Sequence, residues 1–371
     1  MRSSAVATSL LLASGLAGIA FWRPSPVLGH TAASTINRQS AAQYLDAREI
    51  WWQNWPHAQK DNGTICISCH TQVPYAMVRP TLQRDLGENA RNPADRTMMD
   101  SVEKRVTHWP DMATFYSDAK SGPGKTAESR ATEAVLNAII LASADAAQGH
   151  LRPVTRTAFD EAWQLQETTG DLAGVWKWQN FHLGPWEGNE SGYQGAALFL
   201  LAALNAPDNY AAEPAVRPRI DQLHTYLQQH YAAQPVLNQL YILWASPKAP
   251  GLMTPAQRKA LLAAHDGQQQ ADGGWLTMAL DEVPRKDDSP EPTVSDGYAT
   301  GLTVLALEES VTSRRDPMLQ RGLAWLTTHQ QKDGTWTALS INKERDLDSD
   351  PALFMTDAAT AYAVLALDKA R

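Results

Sequence analysis

The stretch Gln331-Lys332-Asp333-Gly334-Thr335-Trp336 has a near copy in Gln270-Ala271-Asp272-Gly273-Gly274-Trp275, the two tryptophans lying 61 residues apart. The segments that follow also match, at an offset of 60: Asp296-Gly297-Tyr298-Ala299-Thr300-Gly301-Leu302 lines up with Thr356-Asp357-Ala358-Ala359-Thr360-Ala361-Tyr362. A period of this length marks a supersecondary unit that buries its apolar face only against its neighbours. Each unit reads as a helix, a Gly-Trp turn, a polar loop and a second helix. The first helix is amphipathic, with Leu319, Leu323 and Leu326 on one stripe of 318–331, and belongs outside. The second, as in 299–307, is apolar all round and belongs inside.

Working outward from this pair, the periodicity predicts six outer-then-inner pairs. They run 42–56 with 72–82, 97–109 with 128–145, 155–166 with 191–204, 215–229 with 235–245, 255–269 with 296–309, and 318–331 with 356–367. Six inner helices ringed by six outer ones make a closed all-α barrel with no unpaired terminal repeat.

The residues Arg321-Gly322, Trp325-Leu326, Gln330 and Gly334-Thr335-Trp336 resemble the glutamine-tryptophan repeat of the squalene-hopene and other terpenoid cyclases. Trp163, Gln166, Gly174 and Trp176, and Gln269 with Gly273 and Trp275, are looser copies. The resemblance spans about residues 40–371 and implies an (α/α)6 toroid like that of the protein prenyltransferases, with glutamine and tryptophan pinning each outer helix to its turn. It does not carry the reaction across. The cyclase acid motif D-x-D-D is missing, and the prenyltransferase zinc site and the thioester toroids each need a cysteine. Asp296 and Asp357, at the starts of inner helices, read as helix caps, and 346–350 reads as a solvated acidic loop.

The chain's two cysteines are committed elsewhere. Cys66-Ile67-Ser68-Cys69-His70 is C-x-x-C-H, the attachment signature of c-type haem, in which two thiols add to the porphyrin vinyl groups and the adjacent imidazole takes the iron. A thioredoxin-type dithiol belongs beside a βαβ pattern, which is not visible here. Gln59-Lys60-Asp61-Asn62-Gly63-Thr64-Ile65 parallels 331–336, so the haem segment, about 61–82, is built into the first repeat. On this reading Cys66 and Cys69 hold one haem c covalently and His70 is the proximal iron ligand. For the other side of the iron the candidates are Met77, Met98, Met99, His108 and Met112. Met77 is disfavoured by its place on the same local segment as His70, and Met112 is the freest to fold over; an open iron is the alternative.

Residues 1–29 read as an export signal: Arg2 is followed by an uncharged, mostly apolar run over 5–21, then small residues. The expectation is a periplasmic or otherwise exported domain over 30–371, touching a membrane only if the signal stays uncleaved. With Lys+Arg 32 against Asp+Glu 40 in 371 residues, a net charge of −8 speaks against a nucleic-acid partner. The expected function is mono-haem electron transfer, with a redox protein or quinone as partner. The alternative is a haem-dependent oxidoreductase or isoprenoid-binding enzyme using the central cavity, which Glu190, Tyr193, Tyr298 and Tyr362 would line.

Overall fold

The computed structural model describes residues 36–371 apart from 282, 283, 311, 312 and 348, and these pack as one unit. The export segment predicted at 1–29 lies outside the described residues. Among the described residues the fold is all-helical, with β structure limited to two isolated bridges. No helix among them is long and apolar enough to cross a membrane.

Among the described residues, twelve helices of ten residues or more follow one another in the predicted alternation. They are α1 Arg38–Asn54, α2 Gln72–Asp85, α3 Pro93–Thr107, α4 Lys125–Gln148, α5 Pro153–Leu165, α6 Ser191–Asn205, α7 Arg217–His230, α8 Val236–Ala245, α9 Pro255–Gln268, α10 Gly297–Ser310, α11 Pro317–His329 and α12 Phe354–Lys369. The odd-numbered starts carry helix-opening chemistry. Asn37, Asn92, Thr254 and Asp316 accept backbone N–H groups of the first turn, and proline opens α3, α5, α9 and α11. The even-numbered helices are the buried ones; all of α10 from Gly297 to Glu308 is inside.

These buried helices pack in chain order, α2 on α4, α4 on α6, α6 on α8, α8 on α10 and α10 on α12, and α12 packs back on α2. The closest pair is α10 and α12, where small residues face each other: a Cβ on Gly301 would come within 2.9 Å of the Ala363 nitrogen.

Hydrogen bonds from a glutamine tie three of the outer helices to the next. Gln166 Nε2 donates to the Gly174 carbonyl at 2.8 Å and to the Arg219 carbonyl in α7 at 3.1 Å. Gln269 Nε2 does the same to Gly273 at 2.8 Å and to Met318 in α11 at 3.0 Å. Gln330 Nε2 donates to Gly334 and to the Asn37 carbonyl, each at 3.0 Å, while its Oε1 accepts from the Asn37 N–H at 2.7 Å. The last outer helix is thereby fastened to the first. The tryptophans act as expected of staples: the indoles of Trp176, Trp275 and Trp336 donate to carbonyls of the helix before the turn, at Ala162, His265 and Leu326.

Gly334 shows why the turn demands glycine. Its φ is +94°, and a Cβ there would overlap the backbone of Ser40 and Ala41 in α1. Gly149 also has a positive φ, +75°, but with open space around it. Gly334→Ala is expected to destabilise by about 3 kcal/mol or more and Gly149→Ala by about 1 kcal/mol, read as the shift in urea midpoint.

Candidate haem-attachment site

The first repeat keeps the turn of the others. Lys60 N–H donates to the Thr64 carbonyl at 2.9 Å, as Gln270 does to Gly274 and Gln331 to Thr335. The loop that follows is fixed from several sides. Ile65 N–H donates to Ser101 Oγ of α3 at 2.9 Å, Cys66 N–H to the Ala58 carbonyl at 2.7 Å, and the Trp52 indole of α1 to the Cys66 carbonyl at 2.7 Å. Ser68 Oγ then accepts the N–H groups of Thr71 and Gln72, at 3.2 and 3.0 Å, and starts α2. Underneath, the fully buried Arg105 spans Glu133, Thr64 and the Ala113 carbonyl.

Cys66, Cys69 and His70 line one cleft that encloses about 750 Å³, part of it open to solvent. Trp52, Trp55 and Phe354 share the wall with them, and Phe115, Tyr116, Ser129, Thr132, Leu136, Gln179 and Glu187 complete it. The cysteines are free thiols, not a disulfide. Burial pushes the Cys66 thiol up to about 12, and Cys69 is raised by burial as well. Both are neutral at pH 7, unlike the activated thiolate of a dithiol oxidoreductase.

The His70 ring is held by stacking on Phe354, centroids 3.8 Å apart, by an edge contact with Trp52 at 5.2 Å and by a tilted one with Trp186 at 5.6 Å. Burial, followed by the charges of Arg48 and Arg345, lowers its pKa to about 3, so the ring is neutral. Its Nδ1 lies 2.9 Å from Thr71 Oγ1, whose single proton is donated to Asp357 Oδ2 at 2.7 Å. Thr71 therefore accepts from Nδ1–H, which leaves the Nε2 lone pair free for a metal. Asp357 is in turn held by Tyr44 OH at 2.7 Å and Arg48 Nε at 2.9 Å, and Arg48 also pairs with Asp350 at 2.9 Å.

This corrects the reading of Asp357 as a cap. In the repeat alignment it falls opposite Gly297, one residue past the Asp296 position, and this register shift is the signal that could have found it. Asp296 does cap α10, accepting from the N–H groups of Tyr298 and Ala299, and it also accepts from Thr277 N–H. Thr356 takes the equivalent of that last contact, its Oγ1 accepting from Ala338 N–H at 3.2 Å, and Asp357 is left to serve the His70 network. The acidic loop is likewise not wholly solvated surface, since Asp350 belongs to that network; Asp348 lies outside the described residues.

None of the five distal candidates lines the cleft. Met112 is buried elsewhere, its Sδ accepting from Asn62 Nδ2 at 3.5 Å; Met98 and Met99 are core residues; Met77 is partly buried; and His108 is exposed. Met112→Leu is expected to leave the visible spectrum of haem-loaded protein unchanged. Of the proposed cavity residues, Tyr298 and Tyr362 meet Tyr241 at the centre, with phenol oxygens 3.1 and 3.0 Å from that of Tyr241, to which Gln194 Nε2 donates at 2.6 Å. Tyr193 instead reaches outward to the Leu227 carbonyl at 2.6 Å, and Glu190 is exposed.

Beside the 66–70 loop, Gln72 accepts from Ser68 N–H and donates to Glu49 Oε1 at 2.8 Å. Glu49 is fully buried, its Oε2 has no partner, and burial raises its pKa from 4.5 to about 7. The folded chain thus binds the extra proton between those two values, so Glu49's contribution to stability falls as pH rises through that window and levels off above it. Glu49→Gln is expected to flatten this slope and to raise stability at pH 8 by up to about 3 kcal/mol, checked by urea midpoints at pH 5 and pH 8.

No protein-family model and no curated relative matches the chain. Among solved structures, a glycosidase variant is similar with a TM-score of 0.49 and 11% identity, over 90% of this chain and 96% of that one. Among the described residues no cluster of three or more His, Cys, Asp or Glu side chains forms a cation site.

Proposed function

We propose that this chain is an exported, periplasmic mono-haem c-type cytochrome built on an (α/α)6 toroid, with Cys66 and Cys69 as the thioether residues and His70 as the proximal iron ligand. The observation that carries the reading is the meeting of two free thiols and an imidazole in one aromatic-lined cleft, with His70 Nδ1 engaged and Nε2 unengaged. The toroid is supported by the cyclic packing of the six buried helices and by the Gln330–Asn37 bonds. When bound, the haem supplies a one-electron centre.

This chain's residues do the rest. Thr71 and Asp357 fix the imidazole's orientation and tautomer, and Trp52, Trp55 and Phe354 exclude water from its wall. A redox protein or quinone is the partner class, and an isoprenoid or other apolar ligand the class that would suit an apolar interior. A pyridine haemochrome spectrum tests the proposal, with one haem bound through two thioethers expected.

A haem-dependent oxidoreductase is the second reading. It is favoured by the polar part of the same cleft, where Glu187 is raised by burial to about 7, a value suited to proton transfer at neutral pH.

A further inference from the structure

One group in the cleft has no structural explanation so far. Gln179, a residue that borders the cleft, is 4% exposed, and neither its Nε2 nor its Oε1 has a partner. A buried amide left unpaired on both atoms is costly, and such groups in a folded protein mark a missing water, ion or ligand. The surroundings are built to hold it. Gln179 N–H donates to Thr132 Oγ1 at 2.8 Å and Tyr116 N–H to Ser129 Oγ at 3.1 Å. Ser129, Thr132 and Leu136 recur at helical spacing on α4, so one stripe of that helix faces the cleft with two loops fastened to it. Each hydroxyl accepts a backbone N–H and keeps its own proton for a second partner. The His70 wall is separate in construction, assembled from α1, the 66–70 loop and Phe354.

We propose that this α4 wall is a binding site for a small anion or diatomic molecule that ligates the iron, with Gln179 Nε2 as its hydrogen-bond donor. The inference rests on the haem reading above and deepens it: a haem iron held by His70 would take an exogenous ligand whose terminal atom accepts a hydrogen bond. A carboxylate at the edge of the haem would use the same amide, and the test separates the two.

The probes are cyanide for the oxidised and carbon monoxide for the reduced haem-loaded full chain, compared between the native protein and Gln179→Met, which keeps the side-chain length and removes both polar atoms. The native protein is expected to bind both. In the variant, cyanide affinity is expected to fall about ten-fold or more and the infrared C–O stretch to move to higher frequency, since a donor near the bound oxygen weakens that bond. Two results would overturn the proposal. One is an unchanged cyanide affinity and C–O stretch in the variant, which would leave the amide to a haem carboxylate or to water. The other is a native protein that takes up neither probe, a result independent of whether the variant folds. A chain without covalent haem, seen by pyridine haemochrome before either probe is added, is the separate failure of the haem reading itself.

Discussion

Asp357→Ala is expected to lower stability by about 3–5 kcal/mol and to disturb the haem spectrum of whatever protein folds. Asp357 has a fully buried carboxylate that receives Arg48, Tyr44 and Thr71 at once. Removing one partner of a buried pair is costly to the charge left behind, here that of Arg48, a residue 5% exposed that would keep only its pair with the half-exposed Asp350. The Thr71 hydroxyl also loses its acceptor and is then free to donate to His70 Nδ1, which would allow the other imidazole tautomer. Urea midpoints read the first effect, and the visible spectrum of the loaded protein reads the second. Asp357→Asn keeps the shape and an Oδ1 acceptor for Tyr44 and Arg48 but removes the charge and the Oδ2 acceptor of Thr71. A loss comparable to that of Ala would assign the effect to the ion pair and the Thr71 bond together, and a small one to the hydrogen bonds at Oδ1.

The second large effect is on cofactor attachment. Cys66→Ala with Cys69→Ala is expected to abolish covalent haem entirely, while each single variant keeps one thioether and gives a haemochrome band shifted to the red by the remaining vinyl group. Fold loss would not explain this. Cys66 is a small buried thiol in the cluster of Trp52, Ala58 and Ile65, and replacing it with alanine should cost about 1–2 kcal/mol, a modest fraction of a domain's stability. Far-ultraviolet circular dichroism unchanged from the native chain, with no haem on the denatured polypeptide, is the expected pair of results.

Helix order was legible in the sequence because both cues, a leucine stripe on the outer helices and an all-apolar run on the inner ones, follow from burial alone. All six predicted pairs correspond to helices α1–α12 within a few residues at each end, and the turn at Lys60 was visible from its likeness to 331–336. The 66–70 loop stood out as a candidate site because its three chemical residues are adjacent in the chain. What escaped was chemistry that depends on side chains brought together across the fold. Arg48, Thr71 and Asp357 are separated by up to 309 positions and meet only because α12 returns to α1 and α2. Gln179 lies in a loop with no periodicity to mark it. Met112 was read as the freest candidate because it lies in the loop 109–112, yet tertiary packing buries it and its sulfur accepts from Asn62. Tyr193 shared a helix-start position with Tyr298, but its helix α6 packs on α7, and its hydroxyl turns to the Leu227 carbonyl.

Whether Cys66 and Cys69 carry a haem is read from the intact mass of the exported protein after denaturation. The expected mass is that of the polypeptide plus one haem, with neither thiol available to an alkylating reagent. A bare polypeptide with two alkylatable thiols, from cells that attach haem to other c-type proteins, would contradict the haem reading.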